Sequence, residues 1–179
     1  MVHAINIVLK VLLLSITLII IAKFTSSKIE QYKEDRDFNS PISMAERERQ
    51  LNCLAKNIYF EAASEPFEGK VAVAQVTINR SESGKYPSDI CAVVYQKNVV
   101  YGKVICQFSW YCESGPTVRH NGAYKESMEV AKKVLLEDFR LPGYHQALWY
   151  HAEYIADPVW SKQMIKVGKI GRHIFYKKT

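Results

Sequence analysis

The chain has 179 residues, 48% of them hydrophobic, and a formal net charge of +6. That composition fills one core of ordinary size and gives no sign of a second. The charge excess is modest and its lysines and arginines are scattered, which argues against a nucleic-acid partner because a clustered basic stripe is missing.

In chain order, the first feature is Val11 to Ala22, "VLLLSITLIIIA", an uninterrupted run of apolar and small hydroxyl residues between Lys10 and Lys23. Its length fits a signal-peptide core. Counted from Ala4, with Lys10 snorkelling towards a headgroup, it is long enough to span a bilayer. No clean small-x-small cleavage site follows, so an uncleaved signal anchor is favoured over a cleaved signal. Lys23, Lys28, Lys33 and Arg36 follow the segment and run against the export orientation. The expected organisation is an anchor over residues 1–23, a polar linker over 24–41 and a folded domain over 42–179.

Ser43 followed by Glu46 is a capping-box pattern and predicts the start of the first domain helix. Along "LNCLAKNIYFEA", Leu51, Leu54, Ile58 and Ala62 share one stripe, and Glu61, at i+7 from Leu54 and i+3 from Ile58, falls on the same apolar face. A glutamate on a helix is ordinarily a solvated charge. Here two influences favour its protonated form: desolvation on the core side, and the negative end of the helix dipole. Pro66 pulls Glu65 out of the helix, leaving it as a second carboxylate in a turn.

Phe67 to Arg80 has helical spacing despite its valines, and "PSDICAVVYQ" predicts a short helix capped by Ser88. Val104 to Cys112 alternates and reads as a strand. Asn121 to Phe139 reads as a helix stopped by Pro142-Gly143. "ALWYHA" and "RHIFYKK" read as closing strands. Helices first and short strands later give an α+β domain with helices preceding a small antiparallel sheet.

The cysteines are Cys53, Cys91, Cys106 and Cys112, an even set behind an export-type segment, which favours disulfides. Four cysteines allow three connectivities, of which Cys53–Cys91 with Cys106–Cys112 is the favoured one. No paired close spacing suits zinc, and neither a metal nor a cofactor is expected. His145, His151 and His173 have no H-E-x-x-H spacing, and Ser109 has no nucleophile elbow around it. Rings such as Trp110 and Tyr150 are ordinarily core; in a sugar cleft they would stack on pyranose faces while Gln107 bonds hydroxyl and acetamido groups.

The segment "CLAKNIYFEAASEPFEGKVAVAQVTINR" resembles the signature of the SleB/CwlJ-like cell wall hydrolase family, roughly Y-x-E-A-R-G-E followed by G-Q-x-A-V-A-x-V-x-x-N-R. "YPSDICAVVYQ", "CQFSWYC", "ALWYHA" and "IGRHIFYK" are similar to later family segments in the same order. Together they cover Leu51 to Lys177. Ala63-Ser64 stands where the family has Arg-Gly, and Lys70 where it has Gln.

The resemblance implies a lysozyme- or lytic-transglycosylase-like fold, peptidoglycan as substrate and Glu61 as the catalytic glutamate. Glu65, Gln107, Ser109, Trp110 and Tyr150 are then candidate substrate-binding residues. The expected protein is a monomer, held to the membrane by its N-terminal helix, with its domain in the periplasm or cell envelope. Cleavage of the glycan strand by a single glutamate is preferred over an amidase reaction, because an amidase would want zinc ligands. Cleavage with water as acceptor, and a non-catalytic peptidoglycan-binding role, are the alternatives.

Overall fold

The computed structural model describes residues 2–38, 41–113 and 117–179, and these fall into two compact units, residues 1–46 and Arg47–Thr179.

In the first unit, α1 runs from Val2 to Phe38. The sequence has neither Gly nor Pro before Pro41, so nothing in it breaks the helix. The part of the expected linker up to Phe38 is therefore helical rather than irregular, and its residues 39 and 40 lie outside the described residues. Within α1, Leu12–Ile29 has a mean hydropathy of 1.7 and is long and apolar enough to cross a membrane.

Helix α2 spans Pro41–Ala62. It begins at a proline, whose fixed φ and missing N–H suit a first helical position. Ser43 therefore stands inside the helix rather than ahead of its first residue. Helix α3 spans Phe67–Glu82, and every residue from Gly69 to Arg80 is buried. Its valines cost helical propensity, but a helix enclosed on all sides recovers far more by burial.

Around α3 lie two apolar clusters. One joins Leu54 and Ile58 of α2, Val71, Ala74 and Ile78 of α3, and Val130 and Val134 of α5 (Asn121–Leu135). The other sets Val73 and Val76 against Ala147 and Phe175. Helix α5 ends before the expected Phe139, and Asp138 takes a left-handed φ of 53°. The short α4, Ile90–Val94, is capped by Asp89 rather than Ser88: its carboxylate accepts from the Ala92 N–H at 2.7 Å.

The expected strand over Val104–Cys112 is corrected. Strands β1 (Lys97–Val100) and β2 (Lys103–Cys106) form an antiparallel hairpin, and Ser109–Cys112 is a 3₁₀ turn. The Cys106–Cys112 disulfide holds its two Cα atoms 5.8 Å apart, whereas an extended strand would separate them by about 20 Å. Strand and disulfide were incompatible expectations, and the disulfide prevails. The Cys53–Cys91 disulfide also forms, tying α2 to α4.

Strands β3 (Trp149–Ala152), β4 (Ile165–Ile170) and β5 (His173–Lys177) make an antiparallel sheet ordered β3-β5-β4. β4 was not anticipated. Gly168 interrupts its pattern at a bulge, and its side chains are largely outside the core.

Candidate active site

Glu61 occupies the last turn of α2, one residue before the helix ends at Ala62. The Glu65 N–H donates back to the Ala62 carbonyl at 3.0 Å, so the chain turns at once into Pro66 and α3. This places Glu61 opposite β3, where the Tyr150 hydroxyl donates to its Oε2 at 3.0 Å. The carboxyl is partly exposed but enclosed on most sides. Burial is the largest influence on its proton affinity and raises it above the ordinary carboxylate value. The Tyr150 hydrogen bond and the Arg80 charge pull the other way, while the Glu113 charge adds to the rise.

Arg80, at the inner end of α3, is only 4% exposed. Its Nε donates to the Leu148 carbonyl at 2.8 Å, two residues before Tyr150, so it tethers α3 to the entry of β3. The guanidinium carbon lies 5.1 Å from the centre of the Phe108 ring and 5.4 Å from that of Tyr86. Asn79 supports the same segment, donating to the Tyr144 and Ala147 carbonyls at 2.8 Å each. Sequence reasoning did not single out Arg80. The available signal was a cation at the end of a helix otherwise made of core residues.

Glu65 sits in a different environment from Glu61. Its side chain is 3% exposed, and it accepts from the Arg172 backbone N–H at 2.8 Å and from Arg172 Nε at 3.0 Å. Burial is again the largest single influence and would raise its pKa. The two Arg172 hydrogen bonds and the His173 and Arg172 charges together outweigh it, and the carboxyl is held below its usual range. Gly171, at φ +55°, makes this contact possible, since a Cβ there would lie 1.9 Å from Glu65 Oε2.

The other expected site residues are spread around this pair. Trp110 is buried and stacks on Phe60, with ring centres 4.6 Å apart and planes 20° from parallel. Its indole N–H donates to Asn57 Oδ1 at 3.1 Å, and Asn57 donates to Thr77 Oγ1 at 3.1 Å. Phe60, Tyr95, Trp110 and Tyr111 line a groove of about 390 Å³ with Lys56, Thr117 and Val118. Gln107 is partly buried, with its N–H bonded to the Gln96 carbonyl at 2.9 Å, and Ser109 is exposed. The structure thus joins Glu61 to Tyr150 and Trp110 to the ring beside Glu61, but sets Glu65 apart against Arg172.

The pattern that defines the cell wall hydrolase family matches residues 64–176, so Glu65, Gln107, Ser109, Trp110 and Tyr150 fall within the match and Glu61 lies just before it. The spore cortex-lytic enzyme of Bacillus cereus is 27% identical over 147 residues, covering 80% of this chain and 49% of that protein. The spore cortex-lytic enzyme of Bacillus subtilis is 27% identical over 128 residues, covering 70% of this chain and 36% of its own length. The chain therefore spans half or less of the length of these relatives.

Among solved structures, the catalytic domain of the Bacillus cereus SleB protein aligns with a TM-score of 0.55 at 24% identity, covering 73% of this chain and 91% of that one. The catalytic domain of the germination-specific lytic transglycosylase SleB from Bacillus anthracis aligns with a TM-score of 0.54 at 26% identity, covering 72% and 93%. The helix-rich domain with small antiparallel sheets is thus the fold of these catalytic domains.

Proposed function

Since the chain belongs to the cell wall hydrolase family, we propose that it degrades peptidoglycan by cutting the glycan strand, with Glu61 as the only catalytic carboxyl. The observation that carries this reading is the divergence of the two carboxyls: Glu61 is held by the Tyr150 hydroxyl at a site whose burial raises its proton affinity, while Glu65 is engaged by Arg172 and held below its usual range. A general acid must hold a proton near neutral pH. In this reading Glu65 acts as a clamp between the α2–α3 turn and the β4–β5 hairpin through Arg172. The spore cortex-lytic relatives and the lytic transglycosylase neighbour support the substrate class.

In this mechanism Glu61 protonates the oxygen linking N-acetylmuramic acid to N-acetylglucosamine, and the glycosidic bond breaks. Tyr150 holds Oε2, which fixes the carboxyl and leaves Oε1 to face the scissile oxygen. The resulting carboxylate is stabilised by the Tyr150 hydroxyl and the Arg80 charge. It then takes the proton of the muramic C6 hydroxyl as that oxygen closes on C1 to form an anhydro ring. The aromatic groove beside Phe60 offers the stacking faces that adjoining sugars need. The protein acts as a monomer, held to the membrane by α1, with its domain in the cell envelope.

The test is a mass spectrum of fragments released from purified peptidoglycan. Anhydro-muramic ends, lighter by one water than hydrolysed ends, are expected. Reducing muramic ends would make water the acceptor. Free stem peptides with intact glycan would overturn glycan cleavage.

A further inference from the structure

The β1–β2 hairpin is built unlike the rest of the domain. Val99 is 72% exposed and Tyr101 fully so, and Val100, Val104 and Ile105 are exposed as well. The register pairs Val99 with Val104 and Asn98 with Ile105, so apolar side chains stand on both faces of the hairpin. Neither face is folded onto the domain. A two-stranded ribbon is marginal on its own, and this one is mounted firmly at its base. The Cys106–Cys112 disulfide closes there, the Gln107 N–H bonds the Gln96 carbonyl at 2.9 Å, and the Lys97 ammonium lies 4.6 Å from the centre of the Tyr111 ring. At the tip, Tyr101 and Gly102 have φ of 49° and 74°, a turn that favours Asn or Asp before Gly. Turn chemistry does not select a tyrosine there.

We propose that this hairpin is a bilayer-contacting blade, seating Val99, Tyr101 and Val104 among anionic phospholipid headgroups. Between Tyr95 and Cys112 there is no Asp or Glu, and the exposed Lys97 and Lys103 flank the apolar residues. Aliphatic tips, a tyrosine and flanking ammonium groups are what an interfacial contact uses. The same chain carries a candidate membrane span. Leu12–Ile29 is long and apolar enough to span a bilayer. Val99, Val100, Val104 and Ile105 have no flat face to stack on a sugar, and Tyr101 is the one ring among the exposed apolar residues of this hairpin. Because its base is fixed to Tyr111, which lines that groove, membrane contact would hold the groove at a set height above the lipid. The proposal rests on the anchor reading for the nearness of the bilayer and is independent of the Glu61 chemistry.

The test uses the full chain in vesicles of phosphatidylglycerol and phosphatidylethanolamine, with photoreactive p-benzoylphenylalanine placed at Tyr101 or, as a control, at the exposed Tyr154. At least tenfold more lipid adduct at position 101 than at 154 is expected, falling several-fold with Lys103→Glu. Equal adducts at both positions in a chain that floats with the vesicles would overturn the blade and leave the anchor standing. Crosslinks at 101 to a second copy or another protein, without lipid adduct, would overturn it likewise. A chain that does not float with the vesicles would overturn anchor and blade together.

Discussion

The Tyr150 hydroxyl donates to Glu61 Oε2 across the space between the end of α2 and strand β3, and this bond opposes the burial that raises the Glu61 proton affinity. Tyr150 is half-buried, and desolvation raises its proton affinity well above the ordinary phenol, so it remains a donor at neutral pH.

Tyr150→Phe removes an influence that lowers the Glu61 proton affinity, so that affinity rises further. The alkaline limb of the activity profile follows deprotonation of the acid and should move to higher pH. Activity at neutral pH should fall about tenfold, the loss expected for one hydrogen bond to a charged group. Rates on purified peptidoglycan measured across pH check both. An unmoved or lowered alkaline limb would detach Tyr150 from the acid.

The placement of Glu61 in the fold was legible because its cues are local. Glu61 on the inner side of a helix and the proline after Glu65 can be read by counting residues. What Glu65 does could not be read, because its partner Arg172 is far along the chain and the fit depends on Gly171 lacking a Cβ. The strand expected over Val104–Cys112 failed because alternation was read without asking whether a six-residue disulfide loop permits an extended chain. Arg80 was missed because its meaning comes from Leu148 and Phe108, which only the folded chain brings to it.

The Glu65–Arg172 clamp predicts a pH-dependent stability. The folded-state pKa of Glu65 is depressed, so its contribution is present above the ordinary carboxylate value and is lost as pH falls through the folded value. Glu65→Gln should therefore melt below the wild type at pH 7, and the gap should close in acid. With Arg172 half exposed, the loss at pH 7 should be about 1.5–3 kcal/mol. Activity per folded molecule should change by less than the Glu61 variant's. A gap that widens in acid would reverse the sign of the argument.

Gly171→Ala should destabilise through the same contact, because its Cβ would meet Glu65 Oε2 and its φ is left-handed. In Glu65→Ala the obstruction is gone, so the double variant should lose less than the two single losses combined. Chemical denaturation of all three variants measures this. Strict additivity would mean that the two residues do not press on one another.

The two disulfides should differ in worth. On chain-entropy grounds, closing the loop with a sequence separation of 38 contributes about 4 kcal/mol, and that with a separation of 6 about 2 kcal/mol. Replacing Cys53 and Cys91 by alanine should lower the melting temperature more than replacing Cys106 and Cys112. The reverse order would show that the hairpin mount matters more to the fold than the α2–α4 tie.

The central claim is that burial stores on Glu61 the proton needed by the scissile oxygen. Glu61→Gln keeps the shape and removes the proton. Its stability relative to the wild type should be equal below the ordinary carboxylate range and should rise as pH climbs through the elevated Glu61 value, where the wild type must ionise a buried group. General acid catalysis supplies about 10²–10⁴-fold. The direct measurement is the rate of turbidity loss of purified peptidoglycan at pH 7 with wild type and Glu61→Gln at equal folded concentration. The account predicts at least a hundredfold fall with no loss of thermal stability; near-normal lysis by a folded Glu61→Gln protein would contradict it.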